Sequence, residues 1–272
     1  SSAGAKPTIL TCQESPFYAS RFYLNLRKYS GRYKYSFIFS GMKRWLNVRS
    51  NYRQMFFPQS YKGLLWEPWN FEQKKFSVLV SGARQGKNFK KTLLLKLFYG
   101  FGVREINSER RKVVDFFGKN NSLDLYGKGW DKEKFVDVSQ EAIKQSYQGT
   151  IQSGKKNEIV ALYKFCFCFE NAVFPGYVTE KIFDAMAAGV VPIYLGAPDI
   201  EKFVPANCFI DATKFKNLEK LNEYLNSMKE GEYEKYIQNI KVFFASDQYQ
   251  KFSQENFSKE ILEILEKEFA NA

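Results

Sequence analysis

The 272-residue sequence contains no histidine, and this absence excludes several classes of chemistry. Ser–His–Asp and Cys–His nucleophilic sites both require an imidazole, and so do zinc sites built on histidine. Any proton transfer near neutral pH must therefore use a carboxylate, Lys, Tyr or Cys side chain.

Cysteines and long apolar runs are also scarce. The four cysteines are too few and too scattered for a disulfide scaffold. No apolar run approaches the roughly 18 to 20 residues that a membrane-spanning helix needs. We therefore expect a soluble, folded protein.

The chain opens with Ser1, and residues 1–6 are typical of a processed end.

Positive charge, in contrast, is abundant. The chain has 41 Lys and Arg against 29 Asp and Glu, which gives a formal charge of +12. Such an excess attracts polyanions: nucleic acid, an anionic membrane surface or a phosphorylated small molecule. The basic residues are dispersed and no RNA-recognition signature is present, so we do not expect nucleic acid as a partner.

Apolar segments alternate between the patterns of strands and helices. The C-terminal half predicts a strand over 162–169, a helix over 179–188 and strands over 190–195 and 208–211. Upstream, the pattern predicts strands over 8–11, 35–39, 76–80 and 122–126, helices over 17–26 and 108–117, and a polar loop over 40–69. Near-continuous apolar strands that alternate with helices are typical of an α/β domain with a parallel sheet.

The loop and helix start at residues 170–181 are the stronger candidate site. Thr179 is placed to cap the helix, and Glu180 could accept two ribose hydroxyls. Lys181 in the first turn opposes the helix dipole, and an anion such as a diphosphate would explain a cation there. A capped helix with a solvated Glu–Lys pair explains the same local pattern.

A second cluster of cations opens the helix predicted at 108–117. Arg110, Arg111 and Lys112 could bind phosphate, or they could form a solvated basic face. The residues around Asp124 leave it a lone carboxylate, so nothing in the chain demands a metal.

Several segments share a pattern with a known family. They are residues 163–171 (YKFCFCFEN), 176–182 (GYVTEKI) and 189–198 (GVVPIYLGAP), with 124–127 (DLYG) and 209–211 (FID) beside them. Together they resemble the donor-binding signature of the α1,3/α1,4-fucosyltransferases, glycosyltransferase family 10. The resemblance is dense over residues 108–215 and thin before residue 80.

The resemblance implies a GT-B fold, in which two Rossmann-like α/β domains face a cleft that holds GDP-fucose as donor substrate, and an inverting transfer with no obligatory metal. Residue by residue, it implies that Glu180 holds the ribose hydroxyls and Lys181 the diphosphate. Asn171 and Tyr177 would line the donor site. Arg110 would neutralise the leaving group, with Arg111 as the fallback.

The family's general base resembles the glutamate of a Glu-Ser-Pro turn, which here is Glu14-Ser15-Pro16. A carboxylate suits this role in a chain without histidine. Only 13 residues precede Glu14, so the N-terminal domain is expected to be short or truncated. The predicted division is an acceptor-side domain over 1–75, a GDP-sugar domain over 76–250 and an amphipathic helix over 251–272. Residues 83–106 look like an insertion.

The expected function is transfer of fucose to an N-acetylglucosamine or glucose unit of a glycan, in α1,3 or α1,4 linkage. The acceptor could be an oligosaccharide, a glycolipid or a glycoprotein. The alternatives are a GT-B transferase for another nucleotide sugar, or a non-catalytic polyanion-binding protein.

The terminal helix could contact a membrane peripherally, but we expect it to pack on the core. A bacterial or viral enzyme would be cytoplasmic or peripheral to the membrane, and a trimmed eukaryotic catalytic domain would lie in the Golgi lumen.

Overall fold

The chain is described by a computed structural model. The described residues are 8–15, 17–25, 28, 32–39, 41, 52–65, 71–85, 93–94, 96–97 and 103–270. Most of the insertion predicted at 83–106 therefore lies outside them.

A small parallel sheet is formed by the N-terminal part of the chain. Its strands are β1 (Ile9–Thr11), β2 (Tyr35–Ile38) and β3 (Tyr52–Gln54), in that spatial order, with helix α1 (Ser20–Leu24) between β1 and β2. The central strand β2 buries Phe37 and Ile38. Strand β3 lies inside the loop predicted at 40–69, so that prediction is wrong there. Its sequence, Tyr-Arg-Gln, has no apolar alternation from which a strand could be predicted.

The larger sheet is parallel and carries the main core. Its strands are β4 (Lys75–Val80), β6 (Asp124–Tyr126), β7 (Tyr147–Gly149), β8 (Tyr163–Phe169), β10 (Val191–Leu195) and β11 (Ile210–Asp211). A separate antiparallel pair consists of β5 (Arg104–Glu105) and β9 (Ala172–Val173). Every residue of β10 and all but one of β8 are buried, because helices cover both faces of a parallel sheet.

In the part of the chain that the structure describes, four α-helices lie between strands of the larger sheet, and four follow its last strand. They are α2 (Asn107–Lys119), α3 (Gln140–Ser146), α4 (Lys156–Val160), α5 (Glu180–Ala187), α6 (Leu218–Ser227), α7 (Glu230–Phe244), α8 (Asp247–Gln250) and α9 (Gln254–Ala270). The predicted helices at 108–117 and 179–188 correspond to α2 and α5, each within two residues at either end.

The strand order of the larger sheet reverses between β4 and β8. The order is β11-β10-β8-β4-β6-β7, so the chain runs from β4 outward to β7 and then returns to β8 before it reaches the other edge. Val78 of β4 lies opposite Cys166 of β8 at this central pair. In open α/β sheets, ligands bind beyond the carboxyl ends of the strands at such a switch point. The topology thus selects the ends of β4 and β8 as the place for a site.

Helix α9 returns to the small N-terminal sheet. Ile264 is buried in the hydrophobic cluster that packs around this sheet. The ring of Phe257 packs edge-on against Phe37, with ring centroids 5.7 Å apart. Glu268 near the end of the helix pairs with Lys34. The amphipathic face thus packs on the protein's own core. Within the described ranges, no helix combines the length and hydropathy needed to span a membrane.

Candidate active site

A small cavity of about 20 Å³ at the switch point between β4 and β8 is lined by three cations. Arg110 of α2, Lys156 of α4 and Lys181 of α5 all line it. The remaining lining comes from the ends of β4 and β8 and from α4 and α5: Leu79, Val80, Ser81, Val160, Cys166, Phe167, Cys168, Phe169, Asp184 and Ala185. Such a concentration of positive charge at a ligand-binding edge favours an anionic ligand.

The carboxylate of Glu170 organises this edge. Glu170 follows β8 directly and is fully buried. Its oxygens accept hydrogen bonds from the Thr179 backbone N–H (2.7 Å), the Thr179 hydroxyl (2.7 Å) and the Lys181 ammonium (3.0 Å). A Cβ atom on Gly196 would lie 2.5 Å from the Glu170 Cγ, so this position requires glycine. Glu170 therefore ties the end of β8 to the start of α5.

Glu170 contacts both Thr179 and Lys181 at the start of α5. Thr179 occupies the N-cap position, but its hydroxyl donates to Glu170 and does not cap the helix. An external anion would explain a cation in the first turn of α5, and within the protein the Lys181 ammonium contacts Glu170, the Thr179 hydroxyl (2.7 Å) and Glu180 (3.3 Å). Burial lowers the pKa of Lys181, but the charges of Glu170 and Glu180 raise it above its ordinary value. Lys181 is thus a charged, internally balanced cation.

Glu180 presents an ionised carboxylate beside the cavity. Its side chain is 40% exposed. Burial raises its pKa, but Lys181 and Lys156 outweigh that effect and hold the pKa below its ordinary value. An ionised, accessible carboxylate is suited to accept hydrogen bonds from a pair of ligand hydroxyls.

Arg110 is held at the end of β8. One terminal nitrogen donates to the carbonyls of Phe169 (2.5 Å) and Glu170 (2.8 Å) and to Asn171 Oδ1 (3.1 Å). Its Nε is buried and has no hydrogen-bond partner among the described residues. Arg111 contacts a different part of the protein: its Nε donates to both carboxylate oxygens of Asp137, at 2.7 and 2.9 Å. Of the two arginines, only Arg110 lines the cavity.

Asn171 and Tyr177 lie behind the cavity wall. The Asn171 amide donates to the Tyr177 hydroxyl at 3.3 Å, and both residues are buried. The Tyr177 ring packs edge-on against Phe39, which follows β2, with centroids 4.9 Å apart. The pair therefore connects the cation cluster to the core of the small sheet.

Glu14 belongs to the N-terminal part of the chain that forms the small sheet. Glu14 is exposed in the turn after β1, and the Tyr23 hydroxyl donates to its carbonyl. Burial raises the pKa of Tyr177, and the carboxylates of Glu170, Glu14 and Glu180 raise it further. The Glu14 charge thus lies within electrostatic range of the same tyrosine that contacts Asn171.

The turn that carries Glu14 is docked onto the larger domain through Tyr18. The Tyr18 hydroxyl accepts a hydrogen bond from Asn107 at 3.2 Å, and the Arg84 guanidinium lies 4.6 Å from its ring centroid. Asn107 begins α2, one turn before Arg110. The contact brings the Glu14 turn close to the helix that supplies Arg110.

Lys156 and Asp184 were missed by the sequence reasoning. They form an ion pair, and the other Asp184 oxygen accepts a hydrogen bond from Tyr61 at 2.7 Å. Asp184 lies among apolar residues on α5, and a carboxylate in such a run needs a buried partner. That signal points to Asp184, but nothing in the sequence identifies Lys156, 28 positions away, as the partner.

Comparisons with known proteins point to one family of enzymes. The profile for the C-terminal part of glycosyltransferase family 10 (fucosyltransferase) matches residues 99–267. A Xenopus tropicalis protein named GDP-fucose protein O-fucosyltransferase 3 is 31% identical over 145 residues, which cover 53% of this chain and 30% of that protein. The α-(1,3)-fucosyltransferase FucT of Helicobacter pylori is 43% identical over 70 residues, which cover 26% of this chain and 15% of that protein. The chain thus matches less than a third of the length of either relative.

A solved structure extends the likeness to the fold. The crystal structure of an α1,3-fucosyltransferase with GDP-fucose matches with a TM-score of 0.56 and 19% identity, and covers 96% of this chain and 75% of that one. The predicted GT-B α/β fold is confirmed. Since the family profile matches well over half of the sequence, the chain belongs to glycosyltransferase family 10, the fucosyltransferases.

Proposed function

We propose that the chain transfers fucose from GDP-fucose, with inversion, to a hydroxyl of an N-acetylglucosamine or glucose unit in a glycan, forming an α1,3 or α1,4 linkage. The observation that supports the proposal is the cluster formed at the switch point by Arg110, Lys181 and the ionised Glu180. Family membership makes fucose the sugar to test first.

The donor would be held by its ribose and diphosphate. Glu180 accepts hydrogen bonds from the ribose hydroxyls, and Lys181 and Arg110 lie against the diphosphate. The N-terminus of α5 adds a partial positive charge at the same place. Asn171 and Tyr177 position this wall from behind. Fixed positive charges are placed where negative charge develops as GDP departs, which lowers the barrier to transfer.

Glu14 would act as the general base. It accepts the proton of the acceptor hydroxyl as that oxygen attacks the anomeric carbon of fucose. The bond from that carbon to the β-phosphate oxygen breaks on the opposite face, and GDP leaves with the electron pair. Side-chain cations neutralise the leaving group in this scheme, so it assigns no step to a metal.

A second acceptor class is supported by one comparison. The Xenopus tropicalis relative is named as a protein O-fucosyltransferase, so a hydroxyl of a protein acceptor is the second candidate. Contacts to the ribose and the diphosphate do not distinguish one base or one transferred sugar from another. A different nucleotide sugar is therefore the remaining alternative as donor substrate. The polyanion-binding alternative gains nothing from the family match. The membrane contact and the compartment stay predictions.

A transfer assay tests the proposal. Labelled GDP-fucose is incubated with an N-acetyllactosamine oligosaccharide, a glucose-containing oligosaccharide and an unglycosylated protein, and the linkage of any product is read by NMR. We expect an α-linked fucose on a glycan. Transfer to the protein alone would select the second acceptor class, and transfer only from a different nucleotide sugar would overturn the donor.

The same assay tests Glu14 as the general base. Glu14→Gln should lower kcat about 100-fold or more, because general-base catalysis contributes roughly 10²–10⁴-fold. The KM for GDP-fucose should stay within about twofold. Glu201→Gln, which changes an exposed carboxylate paired with Lys214, serves as the control and should leave both constants unchanged. Full turnover by Glu14→Gln would remove Glu14 from the mechanism.

A further inference from the structure

Lys156 is a cation of the cavity whose hydrogen-bonding capacity is mostly unused. The three N–H donors of Lys181 meet three acceptors, on Glu170, Thr179 and Glu180. Among the described residues, the Lys156 ammonium meets a single acceptor, Asp184. An ammonium group has three donors, so two of those on Lys156 are available to a ligand.

The position of Lys156 makes it accessible as well as charged. Its side chain is 37% exposed and lines the cavity together with Arg110 and Lys181. Burial lowers its pKa, but the charge and hydrogen bond of Asp184, with Glu180, raise the pKa above its ordinary value. The side chain is therefore cationic at neutral pH.

Asp184 does not depend on Lys156 alone. One of its carboxylate oxygens accepts the Tyr61 hydroxyl at 2.7 Å, and that hydroxyl in turn accepts a hydrogen bond from the Asn157 amide at 2.9 Å. This network holds the carboxylate in place, and the carboxylate holds the ammonium at the cavity wall. The ion pair thus positions Lys156 and leaves its other donors unengaged.

We propose that Lys156 is a third cation that binds the nucleotide-sugar substrate. Its ammonium donates a hydrogen bond to a phosphate oxygen of the nucleoside diphosphate, beside Arg110 and Lys181. This inference rests on the proposed function, since it presupposes a nucleoside diphosphate donor. It adds a residue from α4, an element to which the sequence motifs assign no role.

Calorimetric titration with GDP tests the inference by comparing Lys156→Met with Lys155→Met. Lys155 is the matched control: it precedes Lys156, and its ammonium pairs with the exposed Glu158. Lys156→Met should weaken GDP binding about tenfold or more, because a hydrogen bond to a charged group is lost. Lys155→Met should stay within about twofold of the wild type. Equal affinities for the two variants would overturn the role of Lys156. Absence of GDP binding by the wild-type chain would instead overturn the proposed function.

Chemical labelling of the wild-type chain provides a test that does not depend on how the variants fold. Lysine acetylation is followed by mass spectrometry with and without GDP. GDP should slow the acetylation of Lys156 severalfold and leave that of Lys155 unchanged. Equal acetylation of Lys156 in both conditions, under saturating GDP, would contradict the inference.

Discussion

At the scale of single residues, the site depends on a buried carboxylate. Glu170 accepts hydrogen bonds from two groups of Thr179 and from Lys181, and its backbone carbonyl accepts a hydrogen bond from Arg110. A buried charge is tolerated only when it is paired and hydrogen-bonded, and Glu170 meets both conditions. Removal of its charge leaves the Lys181 ammonium without its buried counter-ion.

Glu170→Gln is therefore expected to lower the free energy of unfolding by about 3 kcal/mol, as is typical when a buried pair loses one partner. Guanidinium unfolding followed by circular dichroism measures this. The control Glu201→Gln should change the same quantity by less than about 0.5 kcal/mol, since Glu201 and Lys214 are both mostly exposed. A Glu170 variant as stable as that control would show that the pair has no structural role.

The sequence predicts some of these residues better than others. Glu180 and Lys181 could be placed at the start of a helix because a turn, a threonine suited to the N-cap position and an apolar helical pattern lie together in the chain. The choice between Arg110 and Arg111 could not be made from spacing, because neighbouring residues on a helix point about 100° apart and the facing element was unknown. Lys156 meets Asp184 only through the fold, so no local pattern contains that pair.

At the scale of elements, a buried lysine joins the starts of two strands. The Lys74 ammonium donates to the carbonyls of Ala161 (3.2 Å), Tyr163 (3.3 Å) and Gly189 (3.1 Å). It thereby connects the residue before β4 with the start of β8 and with the turn before β10. Burial lowers the pKa of Lys74 to about 8.

Because folding lowers the pKa of Lys74, the free energy of unfolding depends on pH in a direction that can be predicted. Between pH 8 and the ordinary lysine value of 10.5, the unfolded chain binds more protons at Lys74 than the folded one, so stability rises with pH. Across that window, the free energy of unfolding of the wild type should increase by up to about 3 kcal/mol relative to Lys74→Met. Urea unfolding of both proteins at several pH values measures this difference in free energy. If the difference between wild type and Lys74→Met did not change with pH, the lowered pKa of Lys74 would be contradicted.

Helix α9 should stabilise the small sheet. Ile264→Ala removes a buried side chain from that cluster and should cost about 2–5 kcal/mol of unfolding free energy. The matched control Leu262→Ala lies on the same helix with its side chain 57% exposed, and should cost less than about 1 kcal/mol. Urea unfolding of both variants measures the contrast. Equal losses would mean that the helix does not support the sheet.

Elements of the larger sheet follow from the sequence more readily than those of the small one. Strands β8 and β10 are continuous apolar runs, so they can be predicted as strands without knowledge of the fold. Strand β3 is three polar and aromatic residues, and it is a strand because β2 lies beside it. Pairing of this kind depends on tertiary context, which a local pattern does not contain.

At the scale of the whole molecule, the proposed function draws on both parallel sheets. In that proposal the larger sheet supplies the cations and Glu180, and the turn after β1 supplies Glu14. Tyr18, Tyr61 and helix α9 connect the two parts across different surfaces. The family resemblance predicted the GT-B fold, which is confirmed, and the site roles, which stay predictions. Composition and charge alone indicated only an affinity for polyanions.

Thermal unfolding with a panel of nucleotides tests the central claim most directly. A ligand at about 100 times its dissociation constant adds about 2.7 kcal/mol, which should raise the Tm by about 5 °C for a chain of this size. GDP and GDP-fucose should produce this shift in the wild type and in the control Glu201→Gln, and UDP and CMP should not, because the chain belongs to the fucosyltransferase family. Glu180→Gln, which removes the carboxylate proposed to hold the ribose, should lose most of the shift. Equal shifts with all four nucleotides, or a full GDP shift in Glu180→Gln, would contradict a GDP-sugar site at the switch point between β4 and β8.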